Sequence, residues 1–234
     1  MTNLKIVFFL MLAIAMATSC KKNEETPLPD ATSEEAAAIM VASFCTGNAG
    51  TMTQVEDAVD LSQSIMLKST QIDSSFNITS VPGALITYQY QMNYSYGFQT
   101  TNNFQLVYTA SGNCDSPNVT AAISASGTLA VTGFLTGDTY IVNGQSAREG
   151  NFVMKIGNKN SINGSVSTTI TNFRFSKTTG LLESGAATIV VAGSTGAGRS
   201  FGFTGTLVYN GNNNATLTIN GKTFNFNIAS GIIL

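Results

Sequence analysis

Residues 86–98 read Ile86-Thr-Tyr88-Gln-Tyr90-Gln-Met92-Asn-Tyr94-Ser-Tyr96-Gly-Phe98. Large apolar or aromatic side chains hold every even position, and polar or small ones hold every odd position. Successive side chains of a strand point to opposite faces, so this stretch is a long strand with one dry and one wet face. Phe104, Leu106, Tyr108 and Ala110 continue the same period. Outward from there, further strands are expected near 119–133, 139–142, 145–156, 164–175, 186–193, 200–209, 215–219 and 222–228.

Four Asn-Gly pairs punctuate these runs, at 143–144, 163–164, 210–211 and 220–221. Asn-Gly between alternating runs signals a tight two-residue hairpin, because both residues tolerate positive φ. At Asn220-Gly221 the phases agree: 219 facing 222 sets Leu217, Ile219, Phe224, Phe226 and Ile228 on one face. At Asn143-Gly144 they do not. A turn there groups Tyr140, Val142 and Ala147, whereas Phe152, Met154 and Ile156 have the opposite parity. A bulge near Gly150 would reconcile them, and a second is expected where Phe173 and Phe175 reverse the parity of Val166 and Ile170.

The period before this region is helical. Thr32-Ser-Glu-Glu35 is a capping box ahead of an apolar helix through Cys45, and Thr53-Gln-Val-Glu56 is a second. Val55, Ala58, Val59, Ser62, Ile65 and Met66 then share one helical face. The expected architecture is therefore mainly β with an α+β N-terminus. It comprises a long curled antiparallel meander over 84–230 and a short helical hairpin over 32–70 packed against it.

Residues 1–19 have the parts of a lipoprotein signal peptide: Lys5, an apolar core from Ile6 to Ala17, and small residues before Cys20. Ser19-Cys20 resembles a bacterial lipobox, which implies cleavage before a lipidated Cys20. Ordinary cleavage leaving a free cysteine is the other reading. Cys20 is followed by Lys21-Lys22-Asn23-Glu24-Glu25, which resembles the export tag of surface-exposed Bacteroidetes lipoproteins. These resemblances imply an outer-membrane, cell-surface protein held to the membrane by its N-terminal lipid. Residues 20–31, with Pro27 and Pro29, then read as a lipidated cysteine and an extended tether. From about 104 to 228 the chain is similar to a family of uncharacterised Bacteroidetes lipoproteins. The similarity lies in Cys114-Asp115, Tyr140-Ile-Val-Asn-Gly144 with the later Gly150, and Ala215-Thr-Leu-Thr-Ile-Asn-Gly-Lys-Thr-Phe224. It implies a shared fold and carries no chemistry.

Charge is sparse, at 10% of residues, and unevenly placed. Residues 21–84 hold nine acids against three lysines, and residues 85–234 hold four lysines and three arginines against four acids. An acidic helical part meeting a mildly basic sheet is the simplest account. Positive charge this thin makes no nucleic-acid footprint. With Cys20 lipidated, Cys45 and Cys114 remain. An oxidising compartment allows them to pair, and two separately buried thiols is the alternative.

Histidine is absent from all 234 residues, which removes histidine-based triads and imidazole metal sites. Gly193-Ser-Thr-Gly-Ala-Gly198-Arg-Ser200 imitates a phosphate loop but precedes a strand, whereas a phosphate cradle needs a helix there. Extending the Asn143-Gly144 register would set Asp138 opposite Glu149, two carboxylates that could hold Ca²⁺; the plainer reading is a solvated hairpin end. No catalytic residue and no cofactor is assigned, and the chain reads as non-enzymatic. Tyr88, Tyr90, Tyr94 and Tyr96 form either core or an aromatic strip for a surface glycan or protein partner. The function expected is a non-catalytic binding or structural surface module. The second reading is a carrier whose half-open curled sheet holds a lipid or other apolar ligand.

Overall fold

The computed structural model describes residues 30–65 and 71–234. The signal segment, Cys20, the tag residues Lys21, Lys22, Glu24 and Glu25, and Met66 lie outside them. The described residues begin with α1 (Ser33–Phe44), a 3₁₀ turn (Thr46–Asn48) and α2 (Thr51–Ser64). Ten strands follow: β1 (Ile72–Thr79), β2 (Thr87–Thr100), β3 (Asn103–Asp115), β4 (Val119–Thr132), β5 (Thr139–Met154), β6 (Ser161–Ser176), β7 (Leu182–Thr195), β8 (Ser200–Gly211), β9 (Asn214–Ile219) and β10 (Lys222–Asn227). Each strand pairs antiparallel with the next, giving one meandering sheet in chain order with β1 and β10 at its two ends.

The sheet is curled around α1. Ala36, Ala37, Ala38, Ile39, Met40, Val41 and Phe44 are all buried, and the helix touches every strand from β4 to β10. A helix that is apolar on all sides must be enclosed, and the concave face of a curled sheet encloses it. Each fully buried Ile, Met or Phe contributes roughly 1.5–3 kcal/mol. The Thr32 capping box forms as expected, with Thr32 Oγ1 accepting from Glu35 N at 3.2 Å and Glu35 Oε2 accepting from Thr32 N at 3.0 Å. Glu35, though buried, also accepts from Asn160 N at 3.1 Å, which pins the helix start to the β5–β6 turn.

Inside the sheet, one cross-strand row runs Tyr90, Gly112, Ile123, Gly150, Gly164, Gly193, Phe201. A Cβ on Gly150 would lie 2.1 Å from the Ala122 carbonyl oxygen, and one on Gly193 would lie 2.4 Å from that of Asn163. Neighbouring backbones are therefore closer here than a side chain permits. Rows of this kind let a sheet curl.

Several sequence expectations need correction. Asn143-Gly144 is not a turn. The segments expected at 139–142 and 145–156 form one strand, β5, with Gly144 paired to Leu129 and Ile170. The parity clash was the sign: Val142, Ser146, Arg148, Phe152 and Met154 all face inward without a break. Gly150 carries no bulge and pairs regularly with Ile123 and Gly164. The expected bulge before Phe173 does form, with Asn172 in a left-handed conformation and its N–H donated to Asn143 Oδ1 at 2.9 Å.

Asn163-Gly164 likewise lies within a strand, and the β8–β9 turn uses Asn212 and Asn213 (both at positive φ) in place of Asn210-Gly211. Asn220-Gly221 does turn, with Ile219 facing Lys222 and Leu217 facing Phe224. The sheet begins at Ile72, twelve residues before the expected 84, because β1 was not foreseen. Finally, α2 starts after Gly50 and the Thr53 box does not form. Thr51 is instead drawn inward, its hydroxyl 3.0 Å from that of Ser146.

Candidate binding groove

The helices fill the concave face as far as β3, and beyond α2 the sheet stands partly uncovered. The result is a groove of about 850 Å³ between the outer flank of α2 and strands β1 and β2. Phe76, Tyr88, Tyr94 and Tyr96 supply its aromatic surface, and Asp57 and Asp60 supply one wall. The strand period places these aromatics: Tyr88, Tyr94 and Tyr96 share the inward parity of β2, and Phe76 opposite Met92 shares that of β1. Phe76 meets Tyr94 edge-on, with centroids 5.0 Å apart. Asp57 and Asp60 lie three residues apart on α2 and so share a face of the helix.

Tyr94 donates its phenolic hydrogen to Asp57 Oδ2 at 2.5 Å. Burial raises the Asp57 carboxyl above its ordinary range, the Tyr94 bond opposes that rise, and the Asp60 charge adds to it. The preceding residue, Glu56, lies outside the groove lining and is pushed up to about 7 by desolvation first and by Asp57 and Asp60 second. Anionic charge on this part of α2 is therefore crowded. Among the described residues, no basic side chain lines the groove.

Behind the groove runs a polar seam. Arg148 projects inward from β5, only 2% exposed, and its Nη2 donates to Ala49 O at 3.0 Å and Gln54 Oε1 at 3.1 Å. Arg148 Nε and Gln54 Nε2 are buried without a partner. Beside them, Tyr108 donates to Ser146 Oγ at 2.7 Å. Arg148 clamps the α1–α2 connection to the sheet. Its neighbour Glu149 points the other way and pairs across strands with Ser124 and Ser165.

The tyrosine strip is thus divided. Tyr90 is core at 2% exposure, Tyr94 is buried with its ring at the groove, and Tyr88 and Tyr96 are half-exposed lining residues. Asp138 and Glu149 are not brought together. The turn that would have paired them is absent, and Asp138 lies in the β4–β5 connection. Among the described residues, no group of three or more His, Cys, Asp or Glu could hold a metal ion.

Cys45 and Cys114 are separate buried thiols, the second of the two readings that the sequence left open. Cys45 lies against Asn227 of β10, while Cys114 sits on β3 opposite Tyr88. Burial raises both thiols, Cys114 to about 11. The glycine-rich 193–200 stretch spans the β7–β8 hairpin loop.

The charge asymmetry appears as contacts: Asp30 with Arg199 at 2.5 Å, and Glu34 with Lys222. Residue patterns missed β1 and with it Phe76. Ile72, Ser74, Phe76 and Ile78 do alternate, but a serine interrupts the apolar row. Asp57 and Asp60 read only as the wet side of a helix. No helix among the described residues is long and apolar enough to cross a membrane. No family model, curated protein or solved structure matches the chain.

Proposed function

We propose that this protein is a lipid-anchored, cell-surface lipoprotein of the outer membrane that acts as a non-catalytic binding module. Its ligand seat is the groove between α2 and the β1–β2 edge. The observation carrying the reading is that groove: aromatic faces and carboxylates converge where, among the described residues, α2 leaves the inner face of β1 and β2 partly uncovered. Aromatic rings beside polar groups are the usual makings of a recognition surface. The concavity where a carrier would store an apolar ligand is occupied by α1, which favours surface recognition over transport. The absence of histidine from the sequence supports a binding role.

The anchor rests on the lipobox-like Ser19-Cys20 and the Lys/Glu tag behind it. Several acyl chains on Cys20, each methylene contributing about 0.8 kcal/mol, would hold the domain without a spanning helix.

Two measurements test this reading. Mass analysis of the mature N-terminus should find an acylated Cys20, and external protease should remove the domain from intact cells. An unmodified, soluble mature chain overturns the anchor. For the groove, Tyr96→Ala should abolish retention on surface partners captured by the native protein. Unchanged retention overturns the site.

A further inference from the structure

The two ends of the sheet are finished differently. Along β10 the C-terminal residues fold back: Phe226 bridges Ile233, Asn227 N donates to Ile232 O at 3.0 Å, and Leu234 N donates to Asn225 O at 2.8 Å. That edge is covered over Asn225–Asn227. β1 is the last strand on its side among the described residues. Its sequence, Ile-Asp-Ser-Ser-Phe-Asn-Ile-Thr, has no lysine and no proline, and its pairing to β2 runs for eight residues without a bulge. Exposed edges are normally blunted by such devices, because unpaired N–H and C=O groups invite another strand. Here the devices are missing beside the groove.

We propose that β1 receives an extended basic peptide segment of a partner protein, which adds as an eleventh strand and sets lysine or arginine side chains into the groove. The proposal rests on the binding reading above and names its ligand. An added strand would lie about 4.8 Å from β1, with alternate side chains on the groove side. Ser74, Phe76 and Ile78 of β1 already line the groove, so those alternate positions fall over it.

The facing wall is acidic. α2 turns Asp57 and Asp60 to the groove and has no lysine or arginine in its 14 residues. Long basic side chains suit this setting, with methylene stems lying along Phe76 and Tyr96 and the charged heads reaching Asp60. An acidic partner would meet like charge. A neutral glycan would use the rings but neither the carboxylates nor the strand edge.

The test uses the folded mature chain and a fluorescent seven-residue peptide of alternating threonine and lysine, read by anisotropy. The wild type should bind it, the glutamate counterpart should not bind, and 300 mM salt should weaken binding. Asp60→Asn, at an exposed position that leaves the fold intact by circular dichroism, should weaken binding by about tenfold, one charge pair's worth. The same peptide N-methylated along one edge keeps its charge and loses its strand-pairing hydrogens, and it should not bind. Equal binding of the N-methylated peptide overturns strand addition, and equal binding by Asp60→Asn overturns the basic ligand. If a neutral oligosaccharide binds in the peptide's place, and Tyr96→Ala abolishes that binding, the groove reading stands and this proposal falls. If neither binds, both fall.

Discussion

The phenol of Tyr94 and the carboxylate of Asp57 meet at 2.5 Å across the seam between β2 and α2. That contact ties the helix carrying the acidic wall to the strand carrying the aromatic rings. Burial raises both groups, while the hydrogen bond pulls Asp57 back down. Tyr94→Phe should therefore raise the Asp57 pKa further, read by NMR titration of its carboxyl carbon. It should also lower stability by about 1–3 kcal/mol, the usual cost of stranding a partly buried hydrogen-bonding group.

Glu56 gives a pH dependence of definite sign. Its folded value of about 7 exceeds the ordinary 4.5, so the native state holds the proton more tightly than the unfolded chain does. Its contribution favours the fold below pH 4.5 and is lost as pH rises through 7. Asp57, also raised, acts in the same direction. Asp115 and Glu34, lowered first by hydrogen bonds from Lys155 and Lys222, act oppositely in more acidic solution, though both are exposed enough to be well screened. Urea midpoints should fall between pH 5 and 7.5 in the wild type and fall less in Glu56→Gln.

Arg148 is a buried cation whose acceptors are a backbone carbonyl and an amide oxygen. Arg148→Ala leaves both without a donor and opens a cavity behind α2, so a loss of about 3–5 kcal/mol is expected in denaturant unfolding. Arg148→Met fills most of the volume and should cost less. If the two variants cost the same, the hydrogen bonds outweigh packing at this position.

The glycine row makes a steric prediction. Gly150→Ala places a methyl 2.1 Å from the Ala122 carbonyl oxygen, a backbone atom that cannot turn aside. Overpacking of this kind costs about 1–3 kcal/mol. Gly202→Ala, on β8 with open space around its Cβ position, should lie within about 0.5 kcal/mol of wild type. Thermal unfolding of the pair separates a curl requirement from a general intolerance of alanine for glycine.

Most strands were readable because the alternation is strong: Tyr90, Met92 and Tyr94, then Phe104, Leu106 and Tyr108, reach the core as their parity demands. The α1 cap was readable because both halves of its box are local. What failed were inferences drawn from a dipeptide against its surroundings. Asn143-Gly144 and Asn163-Gly164 have turn chemistry, yet the inward residues on either side keep one phase, and burying that continuous face outweighs the local preference. β1 was obscured by Ser74 and Ser75. The groove could not be read at all, since it exists only because α2 crosses the sheet where Asp57 meets Tyr94. Strand parity sends the adjacent charges Arg148 and Glu149 to opposite faces, one buried and one exposed.

The folded-back residues 231–234 along β10 have a consequence for assembly. A filament built by sheet continuation needs two unlike edges, each offered to the next molecule. Residues 231–234 cover the Asn225–Asn227 end of one of them, which disfavours head-to-tail propagation through that edge. Two copies meeting through β1 form a symmetric pair and then stop. The folded-back segment thus works as a terminator for sheet continuation past β10.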